Sequence, residues 1–306
     1  MQPTCARVDT SRESSRAILD RIATLLCGRR DLLDLLDAQA QLLPRRVFPS
    51  KNLDGRQLLD IYLEEHAAFF EIVRDRLKPG VRILEVGGGF GFFHVLARTA
   101  GADIVSLEPS ESGFSLARRV ALPVLQAMTG EPERFLDTKI EDFSAEDGSF
   151  DLIVSNNVLE HVADLPRVVA AMHRLARPGG VQVHHCPNYM FPYEPHYKVP
   201  ILPCAVQATG RLCWRSFRRD ALWQSLNSIN ARAVVRLARE LGGTVRFRNA
   251  ARFTLERLAA GGHLRARHGV LTTIALHPAV RALLVRIPPT LMSPMVFEIW
   301  KDPARA

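Results

Sequence analysis

Four glycines fill five positions between Gly87 and Gly91, and acidic residues stand before and after them along the chain. Glu85 comes two positions before Gly87, and Glu108 follows Gly87 by 21 positions. Glycine lets a backbone approach a ligand closely, whereas carboxylates repel phosphate groups and attract positive charge. The spacing therefore predicts a cationic ligand without phosphates.

A dinucleotide is the main alternative ligand for a glycine-rich turn between a strand and a helix. Its G-x-G-x-x-G fingerprint requires a small residue at position 92, where this sequence has Phe92. A pyrophosphate buried beside Glu85 would also be repelled, because charges in a low-dielectric cleft are poorly screened. An acid at the end of a second strand, such as Glu108, can accept hydrogen bonds from two ribose hydroxyls. S-adenosylmethionine combines a ribose with a positive charge and no phosphate, so it fits this description.

Alternating strands and helices from Val81 onward are expected to position these residues. Apolar runs predict strands at 82–86, 103–107, 150–157, 181–186 and 295–300, and helical spacing predicts helices at 92–100, 112–120 and 165–176. Residues 14–79 have helical periodicity that is interrupted at Pro44 and Pro49. The alternation is typical of a doubly wound parallel sheet, in which ligands bind beyond the carboxyl ends of the strands.

Five motifs in order resemble those of the class I S-adenosylmethionine-dependent methyltransferases, from about Val81 to Cys186. They are "EVGGGFG", "LEPS", "IEDF", "GSFDLIVSNNVLEHVAD" and "LARPGG". The resemblance implies an α/β fold with a doubly wound, mainly parallel seven-stranded sheet of the Rossmann-like type. Its last strand would be antiparallel, a role that "MVFEIW" can fill. The third strand stays unplaced between Ala121 and Lys139.

The expected organisation has four parts. A helical N-terminal cap covers 1–79, and the cofactor-binding core covers 80–190. A substrate-side insertion covers 191–289, and 290–306 supplies the closing strand of the core sheet.

Carried over position by position, the resemblance implies roles for the cofactor-binding residues. Glu85 would lie near the cationic methionine end, and Glu108 would hold the ribose. The glycines that would line the cofactor are Gly87, Gly89 and Gly91. The residues that would edge the adenine are Ile140, Glu141 and Asp142, although the two acids are equally well explained as solvated loop charges. Asn156 and Asn157 would face the methionine moiety.

The catalytic candidates follow from the needs of methyl transfer to a hydroxyl, which are alignment and a base for the proton. His161 lies just past the fourth strand, where a structural role at a helix start is an equally good explanation. His196 and Tyr189 belong to the proline-rich segment 186–203, which we expect to form a fixed wall over the transferred methyl group. His185 is a further candidate. Side chains alternate between the two faces of a strand, so His185 and His184 should lie on opposite faces of the sheet.

No metal site is assigned from the sequence. Glu160 and His161 with a later carboxylate could hold an ion, as in some quinone-type relatives. Two adjacent residues do not make a ligand set, and the five scattered cysteines have no zinc spacing.

The composition and the absence of certain motifs limit the classes of binding partner and the cellular location that we expect. The net charge of +8 arises from arginines mixed with acids throughout, which favours a general arginine bias over a polyanion site. The Asn/Asp-Pro-Pro-aromatic and Pro-Cys motifs of base methyltransferases are absent where "SNNV" follows the fourth strand, which disfavours a nucleic-acid target. The start has no signal-peptide pattern and no apolar run reaches about 18 residues, so we expect a cytoplasmic location.

We therefore expect an O-methyltransferase that acts on a small metabolite, a lipid or a saccharide, with S-adenosylmethionine as its cofactor. The alternative is a protein that binds the cofactor without turnover, as a regulatory or scaffold subunit. The segment 263–289 mixes arginines and histidines with apolar residues. It is predicted to be a cap helix with exposed arginines, or else to lie on a membrane surface or over an apolar substrate.

Overall fold

The computed structural model describes residues 14–42, 54–110, 116–217, 219–260 and 273–303. The strands in these ranges are β1 (Arg82–Val86), β2 (Asp103–Leu107), β3 (Phe135–Leu136), β4 (Phe150–Asn156), β5 (Ala176–Cys186), β6 (Tyr193–Glu194), β7 (Val199–Pro200), β8 (Thr244–Arg248) and β9 (Met295–Trp300). Seven of them form one sheet in the order β3-β2-β1-β4-β5-β9-β8. Strands β1 to β5 run parallel, and β9 is antiparallel to both β5 and β8. The predicted doubly wound, mainly parallel sheet is confirmed.

Helices cover both faces of the sheet. They include α1 (Ser15–Cys27), α2 (Arg30–Leu42), α3 (Gly55–Val73), α4 (Phe92–Thr99), α5 (Ala117–Met128), α6 (Leu165–Leu175), α7 (Val206–Leu212), α8 (Ala221–Ser225), α9 (Ala231–Glu240), α10 (Ala250–Ala260) and α11 (Pro278–Leu284). In the described parts of the chain, no helix is both long and apolar enough to cross a bilayer.

The helices α1, α2 and α3 form a layer over α4 and α5. Phe69 of α3 packs on Phe93 of α4 with ring centroids 5.3 Å apart, and both belong to the same apolar core as Ile83 of β1. The N-terminal helices therefore share a core with the sheet, and α3 is held firmly against it.

Both ends of α3 are fixed by polar contacts. At its start, the Asp54 side chain accepts from the backbone N–H of Gln57, whose side chain accepts from the N–H of Asp54. This reciprocal pair is a capping box. Just beyond its end, Arg76 forms a 2.6 Å ion pair with Glu298, a buried residue of β9. The last strand of the sheet thus anchors the helix that covers it.

The opposite face carries α6, α9 and the segment between β5 and α9. Tyr197, Phe217 and Trp223 of that segment pack on one another with ring centroids 4.6–5.2 Å apart. They belong to one buried apolar cluster with Phe297 of β9. The proline-rich segment is therefore packed into the protein.

The helix after β2 and one strand differ from the expectation. α5 runs from Ala117 to Met128, whereas a helix was predicted at 112–120; residues 111–115 lie outside the described residues. Pro123 lies inside α5. Because proline normally breaks a helix, the sequence did not indicate that this helix continues to Met128. Burial of Val120, Ala121, Val124 and Leu125 on one side of α5 outweighs the hydrogen bond that the proline cannot form.

β8 was not predicted at all. Its sequence, "TVRFR", alternates with a period of two, but two arginines and a length of five residues hide the signal. β8 pairs only with β9 among the described strands. The segment 191–289, expected to be a substrate-side insertion, therefore also supplies a strand to the core sheet. The predicted closing strand at 295–300 is confirmed by β9.

Candidate functional site

The glycine turn between β1 and α4 has the backbone of a ligand-binding loop. Gly87, Gly89 and Gly91 all have positive φ, at 80°, 53° and 77°, a region that side-chain-bearing residues rarely adopt. A Cβ at Gly87 would lie 2.2 Å from Cγ2 of Val158, whereas a Cβ at Gly89 would meet nothing within 4 Å. The turn is thus packed at Gly87 and open at Gly89, which leaves room for a ligand.

Glu108 borders this open side. It directly follows β2, and its Oε2 accepts a 2.9 Å hydrogen bond from the backbone N–H of Gly89. Burial raises the pKa of Glu108 to about 7, because the charged form is poorly solvated there. We call Gly87, Gly89, Gly91 and Glu108 the cofactor turn. A ribose and a cationic group fit its glycine backbone and its carboxylate.

Glu85 lies beneath the turn. Ser106 donates a 2.5 Å hydrogen bond to Oε2 of Glu85, and Ser106 is also bonded to Nδ1 of His94 on α4 at 2.8 Å. Burial raises the pKa of Glu85 to about 8 and lowers that of His94 to about 3. Both groups are therefore neutral when the protein carries no cation nearby. Contact between Glu85 and the methionine end of the cofactor stays a prediction.

The remaining residues predicted for the cofactor lie along the same edge. Ile140 is buried, Glu141 is partly exposed, and Asp142 is exposed in the loop after β3. Asn156 ends β4, and its Oδ1 is 2.7 Å from Nδ1 of His185 on β5. Their roles toward the adenine and the methionine moiety stay predictions.

His184 and His185 face opposite sides of the sheet, as the alternation predicts. His184 is fully buried and bonded to Oγ of Ser155 at 2.8 Å, and burial lowers its pKa to about 3. His185 is only partly buried and lines a small cavity together with Glu65 and Phe69 of α3. His185 therefore faces the covered crevice, and His184 has a structural role in the core.

His161 and His196 come together at the carboxyl edge. Their rings are 5.3 Å apart between centroids. Nδ1 of His161 is 2.8 Å from Oγ of Ser225, and its Nε2 is 3.7 Å from a carboxylate oxygen of Glu160. Burial, with a further contribution from the charge of His196, lowers the pKa of His161 to about 3. His161 is thus held neutral beside its neighbour.

Glu194 organises the proline-rich segment around this pair. Its Oε1 accepts from the hydroxyl of Tyr189 at 3.2 Å and is 2.6 Å from Nδ1 of His196, while its Oε2 accepts from the N–H of Tyr197 at 2.6 Å. Burial alone would raise the pKa of Glu194, but the charge and hydrogen bond of His196 outweigh it and lower that pKa. The same contacts raise the pKa of His196 against the effect of burial. His196 therefore favours the protonated state.

Tyr189 is fully buried and contacts Glu194, so it positions His196 through that carboxylate. The expected aromatic wall is in this respect a buried support. We call Glu160, His161, Tyr189, Glu194 and His196 the acceptor-side cluster.

Glu160 is the unexpected member of the acceptor-side cluster. Its side chain is 0% exposed, and neither carboxylate oxygen has a hydrogen-bond partner among the described residues. Burial raises its pKa to about 7. A buried carboxylate without a partner is costly unless a ligand or a proton satisfies it. Such a group can take up a proton at neutral pH.

The cluster could also hold a metal ion. Ligand atoms of Glu160, His161 and His196 all lie within 4.8 Å of one another. The Nδ1 atoms of the two histidines are engaged by Ser225 and Glu194, as outer-shell partners engage them in metal sites. The sequence suggested a later carboxylate as the third ligand, and the structure brings a histidine to that place.

Glu65 was missed by the sequence analysis. It lies on α3, and its charge helps to raise the pKa values of His196 and of buried Glu160. Burial, followed by the charges of Glu65 and Glu108, raises the pKa of Tyr62. The signal was present, because an acid at 65 interrupts the buried helical stripe of Ile61 and Phe69. α3 thus reaches both the cofactor turn and the acceptor-side cluster.

Comparison with known proteins agrees with this geometry. A family model described as "Methyltransferase domain" matches residues 51–246. An uncharacterized protein of Mycobacterium tuberculosis is 34% identical over 216 residues, which are 67% of this chain and 72% of that protein. A ubiquinone biosynthesis O-methyltransferase of Hahella chejuensis is 31% identical over 144 residues, or 47% of this chain and 52% of that protein.

A solved structure shares the fold at low sequence identity. It is a geranyl diphosphate C-methyltransferase of Streptomyces coelicolor A3(2), in complex with Mg2+, geranyl diphosphate and S-adenosyl-L-homocysteine. The TM-score is 0.51 at 14% identity, over 92% of this chain and 96% of that chain. Because the family model spans more than half of the chain and the sheet has the matching order, this chain belongs to the class I S-adenosylmethionine-dependent methyltransferases, enzymes that take their methyl group from S-adenosylmethionine.

Proposed function

We propose that the protein transfers a methyl group to a hydroxyl oxygen of a small metabolite, a lipid or a saccharide. The observation that carries this proposal is Glu160, whose buried and unpartnered carboxylate has a pKa of about 7. A base with a pKa near the working pH suits removal of a hydroxyl proton. The similarity to a ubiquinone biosynthesis O-methyltransferase supports an oxygen acceptor.

The chain's own residues divide the work between binding and proton transfer. S-adenosylmethionine supplies a methyl group on a positively charged sulfur. In the cofactor turn, Glu108 would hold the ribose of S-adenosylmethionine, and the backbone at Gly89 would lie against the cofactor. When that methyl group moves to the acceptor oxygen, Glu160 would take the hydroxyl proton, and uncharged S-adenosylhomocysteine would leave. His161 and His196 would orient the acceptor oxygen, and Tyr189 would position His196 through Glu194.

A divalent cation bound to the acceptor-side cluster is the alternative means of activating the hydroxyl, since a bound cation lowers the pKa of an oxygen ligand. The proximity of Glu160, His161 and His196 favours this chemistry, although no metal was expected from the sequence. Treatment with a chelator distinguishes the two. Unchanged turnover supports the acid–base mechanism, whereas a loss that added Mg2+ or Zn2+ restores supports a metal centre.

The crevice covered by α3 and α10 favours an enclosed acceptor over a nucleic acid. A small cavity there is lined by Glu65, Phe69, His185, Thr254 and Val296, so both apolar and polar side chains face the crevice. We also propose a cytoplasmic location, since the described cysteines, Cys27, Cys186, Cys204 and Cys213, are free thiols.

An acceptor screen tests the proposal. The purified protein is mixed with labelled S-adenosylmethionine and with phenolic, lipid and saccharide hydroxyl acceptors, and release of S-adenosylhomocysteine is measured. We expect release with at least one acceptor, and a strong reduction in Glu160→Gln. Tight cofactor binding without release for any acceptor class would favour the alternative, a cofactor-binding regulatory or scaffold protein.

A further inference from the structure

We propose that the surface formed by residues 273–291 binds an anionic lipid bilayer. This basic apolar surface contains α11, the helical residues 273–276 before it and the turns after it. It includes Ile274, Leu283 and Leu291, whose exposed fractions are 51%, 64% and 49%. No residue from 273 to 291 is buried, although other helices in the described parts of the chain, such as α3 and α6, bury one side.

The charge of the surrounding sequence has a single sign. From Arg257 to Phe297 there is no aspartate or glutamate, whereas there are five arginines. Two of them, Arg281 and Arg286, lie on the basic apolar surface and are exposed. Neither guanidinium forms an ion pair or a hydrogen bond with another described residue. Residues 261–272, which include the start of the segment predicted at 263–289, lie outside the described residues.

Exposed apolar side chains beside unpaired arginines suit one kind of partner. An interfacial helix buries its apolar side among acyl chains while its arginines contact anionic headgroups. Each arginine near an anionic leaflet adds to the binding, and salt weakens that contribution. A neutral apolar ligand would leave Arg281 and Arg286 without counter-charges, so charge complementarity favours an anionic bilayer.

The basic apolar surface adjoins the crevice that would hold the acceptor. Asn188, which follows β5, donates from Nδ2 to the backbone oxygens of Thr290 and Met292, both at 2.9 Å. Pro294 lines the same cavity as His185. The basic apolar surface therefore continues into the rim of the crevice, where an acceptor dissolved in the bilayer could enter. The surface itself is independent of the proposed O-methylation.

Vesicle sedimentation tests the proposal with the full chain. Vesicles of phosphatidylcholine alone are compared with vesicles that also contain phosphatidylglycerol, at low and at high salt. We expect the wild type to bind the anionic vesicles about tenfold more tightly, with most of this binding lost at high salt. We expect the double variants L283S/V285S and R281S/R286S both to lose this binding.

The matched control lies on another exposed helix. Arg211 and Leu212 end α7, and Leu212 is 71% exposed, so R211S/L212S removes the same residue types elsewhere. This variant should bind vesicles like the wild type, and all variants should bind S-adenosylmethionine equally, which confirms that they are folded. Equal binding to both vesicle types, or unchanged binding of the 281–286 variants, would overturn the proposal. So would a wild-type dimer that L283S/V285S dissociates, since the surface would then join two copies of the chain.

Discussion

The cofactor turn takes its residues from two neighbouring strand ends, whereas the acceptor-side cluster combines the turn after β4 with the segment after β5. In the cofactor turn the binding that we propose would be made mostly by the backbone, through glycines with positive φ, and by one carboxylate. In the acceptor-side cluster, side chains hold one another through buried hydrogen bonds centred on Glu194. Substitutions that add atoms to the cofactor turn should therefore weaken cofactor binding. Substitutions that remove a hydrogen-bond partner from the acceptor-side cluster should lower turnover.

The largest expected effect concerns His196. In His196→Ala the acceptor-side cluster loses the group that neutralises Glu194 and orients the acceptor oxygen, so turnover should fall by about 10²-fold, the size expected when a reacting group is misplaced. Cofactor affinity should stay near the wild-type value, because the cofactor turn makes no contact with His196 in the proposed arrangement. Steady-state kinetics on an identified acceptor and calorimetry with S-adenosylmethionine measure the two effects.

Tyr189→Phe provides a graded comparison for that experiment, because it removes one of three hydrogen bonds to Glu194 and leaves His196 in place. It should lower turnover by a smaller factor. His277→Ala removes an exposed histidine of the basic apolar surface and should leave turnover unchanged on an acceptor in free solution. Full activity of His196→Ala would remove the acceptor-side role of this residue and leave His161 as the better candidate.

Glu108 should give the next largest effect, on cofactor binding rather than on turnover at saturation. Glu108→Ala removes a charged acceptor of hydrogen bonds to the ribose, a loss of about 1.5–3 kcal/mol, or roughly 10- to 150-fold in Kd. Calorimetry measures this loss. Glu133→Ala, which removes an exposed acid just before β3, at the amino end of the strands, is the control. An unchanged Kd for a folded Glu108→Ala would mean that this residue does not hold the ribose.

Gly89 and Gly130 form a matched pair for the third comparison. Both have positive φ, at 53° and 74°, and a Cβ at either would meet no protein atom within 4 Å. Alanine should therefore cost each a similar conformational strain, about 1 kcal/mol of unfolding free energy. Only Gly89→Ala should also weaken cofactor binding, by about tenfold, because its methyl group enters the ligand's space. Equal cofactor affinity of the two variants would contradict the assigned position of the cofactor.

The remaining comparison concerns the dependence of cofactor affinity on pH. In the free protein the pKa values of Glu108 and Glu85 are about 7 and about 8, both raised by burial. A positively charged sulfur favours the ionised carboxylates, so binding releases protons. Affinity should therefore rise from pH 6 to pH 9, by less than tenfold per pH unit for each proton released.

Calorimetry in buffers of different ionisation enthalpy counts these protons. S-adenosylhomocysteine has an uncharged sulfur and should give a shallower profile. Glu108→Gln should remove one of the two proton steps. Identical profiles for the two ligands would mean that the carboxylates do not respond to the sulfonium.

The sequence predicted the cofactor turn better than the acceptor-side cluster, for a physical reason. β1, β2 and β9 have the predicted bounds, because a strand inside the sheet needs a nearly continuous apolar run that ends at a turn. Glu108 follows from such a strand end. The importance of Glu65 and Glu194 depends on tertiary contacts between distant segments, and no local period reports these. β8 was missed because it is only five residues long and its two arginines obscure the apolar alternation.

The position of β9 between β5 and β8 has a consequence for the order in which a ribosome delivers the sheet. β8 is synthesised before β9, and β9 is its partner in the described sheet. Until residues 295–300 leave the exit tunnel, β5 and β8 both present an open edge, and Arg76 lacks the carboxylate of Glu298. Nascent chains from which β8 has emerged while β9 is still in the tunnel therefore expose two strand edges at which other chains can add. A longer delay between the emergence of β8 and that of β9 should increase aggregation of the newborn protein.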